Sequence, residues 1–190
     1  MTKFVPIDLA PRLPGQLDAP SGRIDVKMFR VADDPITEAQ NDAEIAREFI
    51  GNGDLGPKSI ANSQKELFRF LTWCREEAKK TLSQLNVADL NAYKEFLRDP
   101  PPDWICTTKW PRNDPRYRPF TGPLSDPSRR QAMIAVKGLL AFAEQTGYLR
   151  RNPAALVRNV RTPVSSRITR YLTQEAIALA IDTVSRRVPD

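Results

Sequence analysis

The stretch PSRRQAMIAVKGLLAFAEQTG, residues 127–147, reads as one long amphipathic helix and decides that the chain is helical. Pro127 stands at a first-turn position after Ser125-Asp126, where its missing N–H costs nothing, and Gly147 supplies the stop. Ala132, Met133, Val136, Leu140 and Ala143 recur at helical spacing, with Leu139 flanking them, so one side is built for a core. Arg130 and Lys137 share another face, and Arg129 lies in the first turn.

Upstream the same period returns three times. Gly56-Pro57-Lys58-Ser59 opens a helix that closes on Trp73-Cys74, and its apolar period (Ile60, Leu67, Phe70, Leu71, Cys74, Ala78) persists to about Lys80. Its other side presents Lys58, Asn62, Lys65 and Arg69 at steps of four, three and four, a basic stripe that is either a solvated face or a contact surface. Asn86 predicts the cap of a further helix, with Asp89 reaching back, Leu90, Tyr93, Phe96 and Leu97 inside, and Asp99-Pro100-Pro101-Pro102 as the stop. Thr37 predicts the N-cap of the earliest helix, with Gln40 at the capping-box position and Gly51-Asn52-Gly53 as its end.

Between these helices lie segments of other kinds. Residues 1–35 contain Pro6, Pro11, Pro14, Pro20 and Pro35 and no sustained period, so an extended arm is expected. Residues 99–124 hold seven prolines together with Trp104, Trp110, Tyr117 and Phe120. Lys109, Arg112, Arg116 and Arg118 interleave with those rings, which suits either nucleic-acid contact or a flap whose rings pack on the helices. As an insertion it is expected to be dispensable for folding. A short helix is predicted from Pro153 to about Val157, then a linker with four arginines, then a helix capped by Thr173 that carries Ala176, Ile177, Ala180, Ile181 and Val184.

Charge is divided along the chain. The net charge is +6, yet residues 1–50 hold six Lys/Arg against nine Asp/Glu, so the positive field belongs to the helical part. Between Pro127 and Gln174 there are nine Lys/Arg and one acid, Glu144. A basic run on a helical frame points to a phosphate backbone as partner. The chain contains no histidine, so neither a Ser-His-Asp unit nor a histidine metal ligand can form. There is no Gly-rich phosphate loop, and the acids show no metal-site spacing, so no metal, cofactor or catalytic group is expected. Cys74 and Cys106 have no partner spacing; Cys74 falls on an apolar helix side and is expected to be a buried thiol. No apolar run reaches membrane-spanning length and no secretory signal opens the chain, so a cytoplasmic protein without membrane contact is expected.

The order of these pieces resembles the core-binding domain of the tyrosine recombinases, the phage integrase family. The matching features are the Ser59-to-Cys74, Leu85-to-Leu97 and Ser128-to-Leu149 helices, the Asn152-Pro153 junction and the phrase Arg170-Tyr171-Leu172-Thr173-Gln174-Glu175. The resemblance implies an all-α, SAM-like bundle of four to five helices with an N-terminal arm (1–35), a core-binding domain (36–158), an interdomain linker (159–171) and the first helix of a truncated catalytic domain (172–190). It implies the DNA-binding part of a site-specific recombinase, holding one recombination half-site of double-stranded DNA beside other protomers. The family's catalytic residues lie downstream of Thr173, so none is assigned here. The first turns of the two long helices would read the major groove, through Lys58, Ser59 and Asn62 and through Ser128, Arg129 and Gln131. Either serine would cap its helix or donate to a phosphate. Lys65, Arg69, Arg130 and Lys137 would meet phosphates, and Arg158, Arg161, Arg167 and Arg170 would accompany the linker across DNA. The 99–124 insertion departs from the short turn of many relatives. A helix-turn-helix regulator is the alternative, although the sequence offers no evident short glycine-containing turn, and a helical protein-interaction module is another.

Overall fold

The computed structural model describes Ile7, Leu9 and residues 35–53, 56–112, 114–161, 177–179 and 182–183. Helix α1 (Asp42–Asn52), α2 (Pro57–Trp73), α3 (Val87–Arg98) and α4 (Asp126–Gln145) form a small all-α bundle. Its only β pairing among the described residues is the isolated bridge between Ile105 and Phe120. Helix α4 is the axis: it touches α1, α2, α3 and the short 3-10 turn Pro153–Leu156. Ala132, Met133, Val136, Leu139, Leu140 and Ala143 of α4 are all fully buried, as their period requires.

The cap of α3 follows the sequence. Asn86 accepts from the Ala88 and Asp89 amides, and Asp89 accepts from the Asn86 amide at 2.9 Å, closing a capping box. Helix α2 starts at Gly56-Pro57 with no side-chain cap. The start of α1 is a correction. Asn41, not Thr37, is the N-cap, and its Oδ1 accepts from the Ala43 and Glu44 amides at 3.1 and 3.0 Å. Asparagine caps better than threonine, and Asp42 and Glu44 place two acids in the first turn where the helix dipole favours them. Thr37 instead donates to Glu48 and accepts from the Ala39 amide, while Ile36 N–H bonds Thr146 O and holds this approach against the end of α4.

Helix α2 does not stop at Cys74 but widens. Cys74–Ala78 forms a single π-turn, closed by Lys79 in the left-handed region (φ 53°) with Lys80 N–H bonded to Cys74 O at 3.0 Å. Beyond it, Lys80 Nζ sits 2.7 Å from Asp89 and ties this exit to the start of α3. Cys74 is buried as expected.

The 99–124 segment corrects its expected dispensability. Trp104 and Phe120 are fully buried and pack edge-on against Phe96, with ring centroids 4.9 and 5.9 Å away. They extend an aromatic row formed by Phe70, Trp73 and Tyr93. Trp104 Nε1 donates to Glu77 at 2.6 Å, so the ring's polar edge is satisfied. Phe120 N–H bonds Trp104 O and Cys106 N–H bonds Phe120 O, at 3.1 and 2.8 Å, which pins the two ends of the loop together. Within the arm, Leu9 is buried in the core and its carbonyl accepts from Gln64 at 3.2 Å. Thr173 and its predicted cap lie outside the described residues.

Candidate nucleic-acid interface

Helices α2 and α4 flank an open groove of about 440 Å³. Lys58, Ser59, Asn62 and Ser63 line it from α2, and Gln131, Ile134, Ala135 and Gly138 from α4. Phe49 of α1 also lines it, and a Cβ added at Gly138 would lie 2.8 Å from that ring. Glycine is therefore what allows α1 to lie so close to α4 here. Lys58, Ser59, Gln131 and Ile134 are exposed, and Asn62 is half-buried. Four of the residues singled out from sequence thus converge: Lys58, Ser59, Asn62 and Gln131. Ser59 does not cap α2 with its side chain, and neither its hydroxyl nor the Lys58 ammonium has a hydrogen-bond or ion-pair partner among the described residues. Ser128 is exposed and accepts from the Ser125 hydroxyl at 3.1 Å, just ahead of Gln131.

Other candidates are committed elsewhere. Arg129 is 8% exposed; Nη1 donates to Asp126 at 2.9 Å and Nη2 to Lys94 O at 3.0 Å. It therefore fastens α4 to α3 and does not present its fork to a base edge. The sequence placed Arg129 in the first turn correctly but could not show that α3 lies on that side.

Arg69 is likewise spent. Its Nη1 lies 3.2 Å from both oxygens of buried Glu66, its Nε donates to Pro119 O at 2.9 Å, and its guanidinium stacks 4.6 Å from the Phe120 centroid. Lys65, half exposed, pairs with Glu66 at 2.9 Å, so that carboxylate is bracketed by two cations. Lys137 turns half inward and donates to Val157 O, while Lys94 Nζ donates to Arg158 O at 3.2 Å. Two lysines thus hold two successive carbonyls where the chain leaves the bundle.

Arg130, Arg158 and Arg161 are exposed, and Arg167 and Arg170 lie outside the described residues. The basic run of α4 is consequently not a single patch. Arg130 stands at its first turns, whereas Arg150 and Arg151 are exposed beyond its other end; α4 has 20 residues, about 30 Å of helix.

Two groups, half-buried Asp42 and buried Cys74, shape the electrostatics inside. Loss of hydration raises the Asp42 carboxyl above its usual range, against the lowering effect of the Tyr148 hydroxyl and the Leu82 amide that donate to it at 2.7 and 3.0 Å. Burial pushes the Cys74 thiol well up, which keeps it protonated and inert. Among the described residues no group of three or more His, Cys, Asp or Glu gathers as a metal site, and no helix is long and apolar enough to cross a membrane.

Comparison with protein families, with curated proteins and with solved structures returns no match for this chain.

Proposed function

We propose that this chain binds double-stranded DNA through the α2–α4 groove, as the DNA-holding part of a site-specific tyrosine recombinase that grips one recombination half-site. The observation that carries the reading is the convergence of Lys58, Ser59, Asn62 and Gln131 from two helices onto one open groove. Lysine and serine at the first turn of α2 suit a phosphate, because the N-terminal amides and the helix dipole add to their pull. Gln131 and Asn62 have the paired donor and acceptor that match an adenine edge, and the exposed Ile134 offers apolar contact to a thymine methyl. The recombinase assignment itself rests on the order of the helices and the Asn152-Pro153 junction in the sequence. In this reading the chain holds DNA with other protomers and cuts nothing itself.

A titration of labelled duplex at several salt concentrations tests the DNA reading. With about five phosphates engaged, the log–log slope of affinity against salt should be roughly −4 to −5. Absent or salt-independent binding would overturn it. Nicked suicide duplexes test the second part: a covalent protein–DNA adduct would show that the chain cleaves.

A helix-turn-helix reading gains one observation. Helices α1 and α2 touch, and only Gly53 to Gly56 separate them in sequence, a short glycine-containing connection that the sequence reading did not single out. Both readings put α2 on the duplex. They differ in α4: Gln131→Ala should weaken sequence preference in the recombinase reading and leave it intact if α2 alone reads bases.

A further inference from the structure

The loop between Cys106 and Pro119 is closed at its neck and furnished with cations, and nothing in the groove accounts for it. Its internal ties consume some of those cations. Arg116 clasps Asp114 through two bonds of 3.0 and 2.9 Å and lies 3.3 Å over the Trp110 ring. Arg118 donates to Pro115 O and Tyr117 O at 3.0 and 2.7 Å. Arg116 and Arg118 therefore hold the loop's shape, and Asp114, the one acid among its described residues, is neutralised from within.

Lys109 and Arg112 are left. Both are exposed, and among the described residues neither has a hydrogen-bond or ion-pair partner. Arg112 is nevertheless placed: its guanidinium lies 4.8 Å from the centroid of Phe68 on α2, a ring that Tyr117 also buttresses edge-on at 5.8 Å. Stacking occupies the flat face of a guanidinium and leaves its N–H edges open, so a stacked arginine is a preset phosphate clamp. Phe68 lies three residues beyond Lys65, and residues at that spacing are neighbours on a helix surface. Lys65 in turn lies two helical turns beyond Lys58. The loop thus rests on α2 a few residues past the groove-lining Ser63, at the stretch that follows Lys65.

We propose that the 106–119 loop is a second DNA contact, in which Arg112 and Lys109 grip duplex backbone phosphates adjoining the groove and add affinity without adding sequence preference. The proposal rests on the DNA reading above and extends its footprint along α2. A free protein-binding surface would explain the exposed cations, but not an arginine held against Phe68 of α2, the helix that lines the groove.

The test is the full chain carrying Arg112→Ala and Lys109→Ala, with Lys109→Ala alone as a variant that touches no internal contact. Binding is measured on a chosen duplex and a scrambled one. The double variant should flatten the salt slope by about two, so that between about 50 and about 200 mM salt its affinity falls about tenfold less than the parent's. The loss should be equal on both duplexes, the thermal melting of Lys109→Ala unchanged, and Arg112→Lys should restore most of the slope. A parent that binds duplex while the double variant keeps its affinity and slope overturns the loop proposal and leaves the groove reading standing. A loop variant that loses affinity while Lys58→Ala and Gln131→Ala do not would sustain the loop and sink the groove. A parent that binds no duplex sinks both.

Discussion

Arg129 shows how far a single residue's role depends on its neighbours. With a guanidinium buried between Asp126 and the Lys94 carbonyl, Arg129→Ala should cost about 2 kcal/mol of folding stability, as expected for a hydrogen bond to a charged group. Urea denaturation measures it. Any effect on DNA should be equal on chosen and scrambled duplexes; a loss confined to the chosen site would restore Arg129 as a base reader. Asp42 gives a second residue-scale expectation. Because its folded-state carboxyl is raised, the fold holds that proton more readily than the unfolded chain does. Its contribution is therefore complete below the usual carboxylate range and is lost as pH rises through the raised value. Stability of the parent relative to Asp42→Asn should fall as pH climbs from about 4 towards neutrality, where ordinary carboxylates have already ionised. Denaturation midpoints of both proteins across that range are the check, and a parent that gains on the variant with rising pH contradicts it.

Among the elements, the clearest lesson lies in the loop from 99 to 124. Its prolines and cations were legible as a loop, and the sequence left open whether its rings would pack. Which rings pack could not be read, because the partners of Trp104 and Phe120 are Phe96 and Glu77, on separate elements. Trp104→Ala should cost about 3–5 kcal/mol, and replacing the whole segment with a short Gly/Ser turn should abolish cooperative melting. A replaced chain that still melts in one sharp step would show the rings to be ornamental. By contrast α3 and α4 were readable almost to their ends, since a cap, a proline and a period of 3.6 are local signals. The π-turn at Cys74–Ala78 carries no such local signal; it continues the apolar period of α2 without a break. Thr37 failed for a related reason: a stronger cap stood four residues on at Asn41.

For the molecule as a whole, the all-α architecture followed from periodicity, whereas the distribution of charge did not. A sequence counts cations; only the packing shows that Arg69, Arg129 and Lys137 face carboxylates and carbonyls while Lys58, Lys109 and Arg112 face outward. Of the candidate residues, Lys58, Ser59, Asn62 and Gln131 meet at the groove, because at those positions the helical stripe stayed on the surface. Arg150 and Arg151 supply a test at this scale, for they stand beyond the end of α4, which lies about 20 Å of helix past Gln131. Neutralising both by Arg150→Ala and Arg151→Ala should leave the salt slope of duplex binding within about half a unit of the parent, against about one unit lost for each true phosphate contact. A drop of about two would mean that the duplex runs along the whole of α4.

The two thiols of this chain sit in very different places, and that makes it a ready instrument. Cys74 is sealed in the core with its proton held on, whereas Cys106 is half exposed at the pinned neck of the loop. A maleimide dye should therefore label one position without any engineering of the sequence, and it would stand a few residues from Lys109 and Arg112. Its fluorescence would report whether the neck opens or the loop meets a ligand, in the parent protein and in real time.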